Sequence, residues 1–497
     1  HQVYFEMNFG KCLIFINGKN TENQINSKDE PDWVDVKGVS LNPLGDAGGD
    51  LIVYPVLADI GFKVPKNQEV EFSNVAIYNY REPSNFLFKE DLEASTNSIF
   101  KSKRLKTSNK AYTIKSKKEA VLITANPSKN ATPMLRTEFT SNKAIKKARL
   151  YATARGIYEL YLNGKKINDN YFAPGLTQYN KVHMYQVYDV TPFINSDKNT
   201  LGAILGEGWW SGSISYRGFN WNYFGDRQSL LSKLVITYKD NTSETIVSNS
   251  KDWKIFTDGP IRYSSFFQGE YYDANKENAV EGWLKSNYND DHWQNTSVVP
   301  LNNETAYIGK ELNYEDQEII AQIGDSPNIV KELKPISVNE VKPGVFIYDM
   351  GQIMVGFPKI ELKNTTADTI RLRYAEMLYP DLPEYSSKKG TLMLENIRGA
   401  LTTDQYILGD NKSITIQPKF TFHGFRYLEI TGIKKAIPLQ NITGLVVSSI
   451  DSLSSNYTTS NPKINKLWEN ITWSFRSNFL SIPTDTPARN ERMGWNG

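Results

Sequence analysis

The sequence has one cysteine, four histidines and almost no net charge, and each of these scarcities excludes a class of protein. A single cysteine, Cys12, cannot form an internal disulfide framework or a cysteine-based zinc site. A formal net charge of +2 over 497 residues gives no electrostatic basis for binding nucleic acid or an anionic membrane. The four histidines lack the spacing of metal ligands and stand at His1, His183, His292 and His423.

Long apolar runs are also missing, and no stretch approaches the roughly 20 residues that a membrane-spanning helix needs. No signal peptide is visible at the start, HQVYFEMNFG, which already alternates like a β-strand. We therefore expect the natural N-terminus to lie upstream of this sequence. A chain of this length predicts three or four domains rather than one core.

Aromatic residues are abundant, with 10 Trp and 28 Tyr. Flat rings cover the apolar faces of pyranoses, so this composition fits a protein that handles sugars. It fits ordinary β-sandwiches equally well, because Tyr and Trp are common strand residues. Composition alone leaves both interpretations open.

Short apolar runs separated by turns dominate the first 455 residues, where helical periodicity is almost absent. Two of these runs end in Asn-Gly, at Asn17-Gly18 and Asn163-Gly164. This dipeptide favours a two-residue hairpin, because a type I′ turn needs positive φ at both central residues. The pattern predicts a mainly β chain of tandem antiparallel β-sandwiches.

The hydrophobic period changes near residue 460. Ser460-Asn461-Pro462 supplies a capping residue and a proline for a first helical turn. Apolar residues then recur at spacings of three and four over Ile464–Phe479, which predicts an amphipathic helix near Pro462–Leu480 that Pro483 ends. Because so apolar a face needs partners, we expect this helix to be the first of a larger all-α domain.

Composition and turn signals divide the chain into five segments. They predict a first sandwich over 1–95, a lysine- and serine-rich connector over 96–131, a second sandwich over 132–327, a third over 328–451, and the start of the helical domain over 452–497.

The last thirteen residues, DTPARNERMGWNG, place charged groups and an aromatic in one loop after the predicted helix. Such a loop has the composition of a carboxylate-rich sugar pocket. A salt-bridged loop that merely ties a helix end to its neighbours would have the same composition. The side chains concerned are Asp485, Arg489, Glu491, Arg492 and Trp495.

Three groups of motifs carry a family likeness from about Thr132 to Gly497. The first comprises ARLYATARGIYELYLNGKKI, APGLTQYNK and ILGEGWWSG. The second comprises FIYDMGQIMVGF, RYAEMLYPD, TDQYILGD and FHGFRYLEITG, and the third is SNFLSIPTDTPARNERMGWNG. In this order they resemble the bacterial α-L-rhamnosidases of glycoside hydrolase family 78. The corresponding family segments are a galactose-binding-like N-terminal sandwich, a second sandwich and the opening of the catalytic α/α barrel. VSLNPLGDAGG and NYREPSNFLF, within 1–95, resemble more loosely a concanavalin- or laminin-G-type sandwich.

The resemblance implies an enzyme that hydrolyses terminal non-reducing α-L-rhamnose by an inverting general acid/base mechanism. It implies that Glu491 is the general acid, that Asp485 and Arg489 bind sugar hydroxyls, and that Trp495 packs on the sugar. The catalytic base is expected beyond residue 497, so we expect the chain to be inactive or incomplete by itself. The implied substrate is a rhamnose-containing oligosaccharide, polysaccharide or glycoside, without a required cofactor and in the periplasm or outside the cell. The natural rhamnoside and the oligomeric state stay open.

The loop departs from the usual family pattern, roughly PTDCPQRDERLGWTGD, at three positions. Thr486 stands where Cys is usual, Ala488 where Gln is usual, and Asn490 where Asp is usual. Asn490 removes a charge beside Glu491, which could shift the pKa of that acid or alter substrate preference.

Secondary sites are suggested by two other segments. Asp169 and Asn170 could bind calcium and a sugar, with Trp209 and Trp210 as a stacking surface, although Asn-Asp-Asn runs are usually plain turns. GDAGGD, at 45–50, could hold calcium through hard oxygen ligands or could be an ordinary glycine turn.

Three further residues are interpreted as structural: Trp283 and Trp293 in GWLKSNYNDDHW, and His423 in a strand-like run. The main rival to an enzyme is a non-catalytic carbohydrate-binding protein of several sandwiches, and a structural or adhesion protein is a third hypothesis. The C-terminal helix and the Glu491 loop argue against both rivals, because a lectin or an adhesin has no need of them.

Overall fold

A computed structural model describes residues 3–8, 11–16, 19–20, 60–72, 75–79, 82–90, 105–108, 111–117, 121–125, 131–212, 223–225, 227–299, 314, 316–397, 400–410 and 413–489. The chain divides into two compact units, His1–Lys129 and Asn130–Gly497. Strands dominate both units, which confirms the prediction of a mainly β fold. Within these ranges no helix combines the length and apolarity needed to cross a membrane.

The described part of the first unit is entirely strand and turn. Its sheets have the orders β1-β2-β3, β10-β4, β5-β9-β8 and β6-β7. In the first of these, Ile16 pairs with Lys19, so two residues connect β2 and β3 as the Asn-Gly signal predicts. The strands are β1 (Val3–Asn8), β2 (Lys11–Ile16), β3 (Lys19–Asn20), β4 (Ile60–Val64), β5 (Glu69–Phe72), β6 (Val75–Asn79), β7 (Glu82–Glu90), β8 (Leu105–Ser108), β9 (Ala111–Lys115) and β10 (Val121–Ala125).

The connector predicted over 96–131 is wrong, because β8, β9 and β10 lie within it. β9 pairs with β5 and β10 pairs with β4, so these strands belong to the sheets of the first unit. The misleading signal was the lysine and serine content, which strands tolerate wherever alternate side chains face solvent. In β9, for example, Tyr112 and Ile114 are fully buried whereas Lys115 is exposed. The concanavalin or laminin-G type of this unit stays a prediction.

A two-sheet sandwich opens the second unit and is called the first sandwich below; it corresponds to the one predicted over 132–327. Its sheets have the orders β14-β13-β16-β11-β19-β22 and β18-β17-β12-β15-β23. Leu150, Leu205 and Ile236 are among the buried residues of its core. Asn163 and Gly164 join β13 to β14 with φ of 53° and 80°, as predicted. The strands of this part of the chain, of which β20 and β21 belong to the next sheet, are β11 (Met134–Thr140), β12 (Ile145–Arg155), β13 (Ile157–Leu162), β14 (Lys165–Lys166), β15 (Val182–Asp189), β16 (Lys198–Gly206), β17 (Ser229–Tyr238), β18 (Ser243–Val247), β19 (Lys254–Phe256), β20 (Ile261–Ser265), β21 (Gly269–Asp273), β22 (Gln294–Asn295) and β23 (Glu318–Ala321).

The second sandwich of this unit, which corresponds to the one predicted over 328–451, is called the second sandwich below. It is built on one large sheet with the order β20-β21-β28-β27-β30-β26-β31-β24, to which β25 and β29 attach through β26. β26 shifts its register on β30 between Asp349 and Met354. Tyr348, Leu372 and Phe425 lie fully buried in the core of this sandwich. The new strands are β24 (Asn328–Leu333), β25 (Ser337–Lys342), β26 (Val345–Leu362), β27 (Thr369–Ala375), β28 (Thr403–Ile407), β29 (Ile414–Ile416), β30 (His423–Thr431) and β31 (Ile442–Ser448).

The assignment of all residues in 132–327 to a single sandwich is wrong for the hairpin β20–β21. Its second strand runs parallel to β28, with Tyr272 opposite Tyr406, and so extends the sheet of the second sandwich. Sequence order could not reveal this pairing, because the two partners lie more than 100 residues apart in the chain.

A cluster of aromatic side chains connects the two sandwiches. The ring centroid of Phe266 lies 4.8 Å from the ring centroid of Trp209 and 4.9 Å from that of Phe422. Leu480, just after the C-terminal helix, is fully buried in the same cluster. Both sandwiches and the segment that follows the helix therefore meet in one apolar cluster, which is separate from the core of each sandwich.

The predicted helix is confirmed as α1 (Pro462–Ser477), the longest helix among the described residues. Asn461 caps it by accepting a hydrogen bond from the Lys463 N–H at 3.0 Å. Trp473 packs against the core of the second sandwich, but the apolar stripe faces outward. Its exposed members are Ile464, Leu467, Ile471 and Phe475, at 39%, 53%, 52% and 50% of full exposure. Short 3-10 turns occur at Thr191–Phe193, Ala274–Val280, Pro383–Tyr385, Glu395–Ile397 and Leu439–Asn441.

Candidate active site

The loop that follows α1 has a tightly defined backbone. β32 (Phe479–Leu480) and β33 (Ile482–Pro483) form a minimal hairpin around Ser481, whose φ is 69°. Thr486 also has positive φ, at 46°, which is costly for a β-branched residue. Residues in such conformations persist only where their surroundings impose them, so other parts of the fold must hold this loop.

Asp485 and Arg489 lie on this loop, four residues apart. Asp485 is exposed, and its Oδ1 accepts a hydrogen bond of 2.9 Å from the Thr486 hydroxyl. Arg489 is half-buried, and its backbone N–H donates to the Thr486 carbonyl at 3.1 Å. The carboxylate of Asp485 is thus open to a ligand from solvent. Asn490, Glu491, Arg492 and Trp495 lie outside the described residues, so their predicted roles stay predictions.

The proposed stacking surface of Trp209 and Trp210 is wrong. Both side chains are buried, at 2% and 3% exposure, and Trp209 is enclosed by the aromatic cluster between the sandwiches. A ring without an open face cannot stack on a sugar. The double Trp instead supplies core volume to a sandwich contact.

Asp169 and Asn170 lie in a turn. Asp169 is exposed, and the Asn170 N–H donates to the side-chain oxygen of Asn168 at 3.1 Å, as in an ordinary Asx turn. Among the described residues, no group of three or more His, Cys, Asp or Glu is placed to hold a metal. GDAGGD, at 45–50, lies outside the described residues.

The residues interpreted as structural are buried. Trp283 and Trp293 stack with their ring centroids 5.8 Å apart in the core. His423 is fully buried, stacks on Tyr374 at 3.9 Å, and places Nε2 3.1 Å from both carboxylate oxygens of Asp404.

A buried polar network around Asp404 was not foreseen from the sequence. Asp404 Oδ1 accepts the Glu270 N–H at 2.8 Å, while its other oxygen accepts the Tyr374 hydroxyl. Glu270 accepts the Tyr406 hydroxyl at 2.9 Å and the Lys419 N–H at 3.0 Å. Burial, reinforced by the Asp404 carboxylate, raises the pKa of Glu270 to about 7 against these hydrogen bonds.

A glycosidase also uses two carboxyl groups, but Glu270 and Asp404 are not accessible to a substrate. Glu270 and Asp404 are 2% and 0% exposed, so no sugar can reach them from solvent. The exposed loop after α1 is therefore the better candidate site. The sequence did not single out Gly424, whose backbone N–H donates to the Pro487 carbonyl of this loop at 2.9 Å, although an isolated glycine in a strand often marks close approach of another backbone.

Family models and known proteins match the second unit. The α-L-rhamnosidase N-terminal domain matches residues 143–314, the bacterial α-L-rhamnosidase concanavalin-like domain matches 339–448, and the bacterial α-L-rhamnosidase 6 hairpin glycosidase domain matches 453–497. An α-L-rhamnosidase of Streptomyces avermitilis is 41% identical over 372 residues, which covers 75% of this chain and 34% of that protein. An α-L-rhamnosidase of Formosa agariphila is 36% identical over 367 residues, which covers 73% of this chain and 37% of that protein.

Solved structures agree. The crystal structure of Streptomyces avermitilis α-L-rhamnosidase complexed with L-rhamnose has a TM-score of 0.63 at 39% identity, over 73% of this chain and 33% of that one. Native α-L-rhamnosidase of Aspergillus terreus has a TM-score of 0.64 at 32% identity, over 78% and 43%. The chain spans about a third of the length of the curated relatives it matches. With three consecutive family domains matched in order, the chain belongs to the bacterial α-L-rhamnosidases.

Proposed function

We propose that the natural protein carrying these 497 residues hydrolyses terminal non-reducing α-L-rhamnose from rhamnosides, with inversion at the anomeric carbon. The observation that carries the proposal is the glycosidase-domain match over 453–497, the segment that contains α1 and the exposed Asp485. The relatives named α-L-rhamnosidase support the same activity.

The chemistry assigns one role to each group. Glu491 protonates the leaving oxygen as the general acid, while a second carboxylate, about 6.5–9.5 Å away, activates water on the opposite face. Asp485 and Arg489 bind sugar hydroxyls, and Trp495 packs on the sugar. Two carboxyl groups suffice for this reaction, so no cofactor is required.

The apolar stripe of α1 supports a larger helical domain around the site. Ile464, Leu467, Ile471 and Phe475 recur on one face of the helix and are exposed in the described part of the chain. Further helices packed on this face would bury the stripe and would surround the loop that follows α1. They would also be the source of the second carboxylate.

The substrate class follows from the activity. We propose a rhamnose-containing oligosaccharide, polysaccharide or glycoside, met in the periplasm or outside the cell. Cell fractionation with an antibody against the protein tests the location.

A calcium role for Asp169 and Asn170 is tested by measuring sugar binding before and after chelation, with Asp169→Asn as the variant.

The decisive experiment assays the natural protein against an aryl α-L-rhamnoside and follows the first-formed sugar by NMR. We expect release of rhamnose, first as the β anomer. Glu491→Gln should abolish most turnover of an alkyl rhamnoside. Its matched control is Glu469→Gln, the same change at an exposed position of α1 that forms an ion pair with Lys466. Absence of rhamnosidase activity, or equal losses in the two variants, would overturn the proposal.

A further inference from the structure

The second sandwich holds the active-site loop from the side opposite to solvent. The Gly424 N–H, near the start of β30, donates to the Pro487 carbonyl at 2.9 Å. On one side Gly424 pairs with Val355 of β26. On the other side the neighbouring strand β27 ends opposite Tyr427 and does not reach Gly424. The backbone of the loop lies there instead.

This contact leaves no room for a side chain. A Cβ on Gly424 would stand 2.6 Å from the carbonyl carbon of Pro487 and 2.7 Å from the nitrogen of Ala488. Both are backbone atoms and cannot move aside as a flexible side chain can. Any residue other than glycine must therefore displace the loop, or β30, by several tenths of an ångström or more.

The other end of the loop is held by the end of β31. Ser449 donates its N–H to the Phe479 carbonyl at 2.9 Å, and its hydroxyl oxygen accepts the Ser481 N–H at 2.8 Å. Ser448 donates its hydroxyl to the Arg476 carbonyl, also at 2.9 Å. Asp485 and Thr486 thus lie between two points that both belong to the second sandwich.

From this geometry we propose that Gly424 is a positioning residue for hydrolysis, acting through the loop that carries Asp485 and Arg489, which Glu491 follows in the sequence. This inference rests on the proposed function. The second sandwich then serves as a rigid template for the reacting groups. Holding such groups in place matters because a misplacement of about 1 Å can cost roughly 10²-fold in rate.

The test uses the natural protein with Gly424→Ala. We expect kcat on an alkyl rhamnoside to fall about 10²-fold. We also expect the basic limb of its pH–rate profile to move, since Glu491, the proposed acid, follows this loop by two residues in the sequence. A purely structural defect would lower the active fraction and leave the pH profile in place.

Gly444→Ala is the matched control. Gly444 is buried in β31 of the same sheet, but the three atoms nearest to a Cβ there belong to the side chains of Met354 and Met350 rather than to backbone. We expect this variant to keep the pH profile and to lose less than about threefold in kcat, because methionine adapts to added volume. Equal kcat losses and equal pH shifts in the two variants would overturn the inference.

A readout without activity separates the inference from the proposed function. Trypsin cleaves after Arg489, and a displaced loop exposes this bond, so Gly424→Ala should be cut at least about tenfold faster and Gly444→Ala at the parent rate. If the parent hydrolyses no rhamnoside, the proposed function fails while this cleavage difference still tests the seating of the loop. Parent-like cleavage of Gly424→Ala would overturn the inference.

A second variant keeps the test decisive if Gly424→Ala does not fold. Ser449→Ala adds no volume and removes only the acceptor for the Ser481 N–H. We expect a smaller loss of kcat, up to about tenfold, with faster cleavage after Arg489. Unchanged kcat and unchanged cleavage in Ser449→Ala would contradict the inference that the second sandwich positions the loop.

Discussion

Lys419 places its Nζ 3.1 Å from Oε2 of Glu159, a residue 260 positions earlier in the chain. Glu159 is a buried residue of β13 in the first sandwich, and Lys166 lies 2.8 Å from its other oxygen. The Tyr161 hydroxyl also donates to this carboxylate. The arrangement links the two sandwiches by charge as well as by the aromatic core.

Lys419→Met should lower the free energy of unfolding by about 1–3 kcal/mol, because Glu159 then keeps only one cation. Breaking a fully buried pair costs about 3–5 kcal/mol, but the Lys419 and Lys166 side chains are 38% and 27% exposed and water screens them. Urea denaturation followed by tryptophan fluorescence measures the difference. Lys466→Met, which breaks an exposed pair with Glu469, should cost at most about 0.5 kcal/mol. Similar values for the two variants would contradict the prediction.

Glu159 should also make the stability of the protein fall with pH in the acid range. Burial alone would raise its pKa, but the charges of Lys419 and Lys166, with hydrogen bonds from Lys166 and Tyr161, outweigh burial and lower the pKa to about 2. A lowered pKa means that the contribution is present above the ordinary value, about 4.3, and is lost as pH falls through about 2. Thermal unfolding between pH 5 and about pH 2 should therefore show a shallower decline in Glu159→Gln than in the parent. A parallel decline would contradict the prediction.

Glu270 should have the opposite pH dependence. Its pKa, raised to about 7 by burial and the Asp404 carboxylate, means that the folded protein binds this proton more tightly than the unfolded chain does. The contribution is complete below about pH 4.3 and is lost as pH rises through about 7. Glu270→Gln should remove this decline while adding a constant cost for one lost acceptor. The slope of unfolding free energy against pH, rather than its absolute value, is the measurement. Glu469→Gln, an exposed change, should keep the parent slope.

Glu491 should matter most where the leaving group needs a proton. In the natural protein, Glu491→Gln should lower kcat/KM on an alkyl rhamnoside by about 10²–10⁴-fold. A dinitrophenyl rhamnoside should suffer far less, because its leaving group departs without protonation. Asp485→Asn should instead raise KM for both substrates. Equal losses on the two substrates in Glu491→Gln would remove this residue from the role of acid.

The 497-residue polypeptide by itself should show little or no rhamnosidase activity. One carboxyl group cannot both protonate the leaving oxygen and activate the attacking water. The assay compares this polypeptide with the natural protein on the same aryl rhamnoside, with folding checked by circular dichroism. Turnover close to that of the natural protein would show that the second carboxylate lies within these residues.

Local signals in the sequence predicted the local structure. Asn163-Gly164 specified a hairpin because both residues accept positive φ. Asn461-Pro462 specified the start of α1, and the spacing of apolar residues specified its extent, because neighbours along the chain decide these preferences. The motif around Asp485 identified the candidate site for the same reason, since the predicted acid and the predicted sugar-binding residues lie in one short segment.

Tertiary structure alone decided which distant segments meet. The pairing of β21 with β28, the burial of Trp209, and the contact between Gly424 and Pro487 all join residues far apart in sequence. An alternating strand pattern states that one face will be buried, but it does not name the partner. The sequence can therefore suggest that a tryptophan stacks on a sugar although its side chain lies in the core. A strand glycine can likewise contact the loop on which the proposed chemistry depends, as Gly424 does.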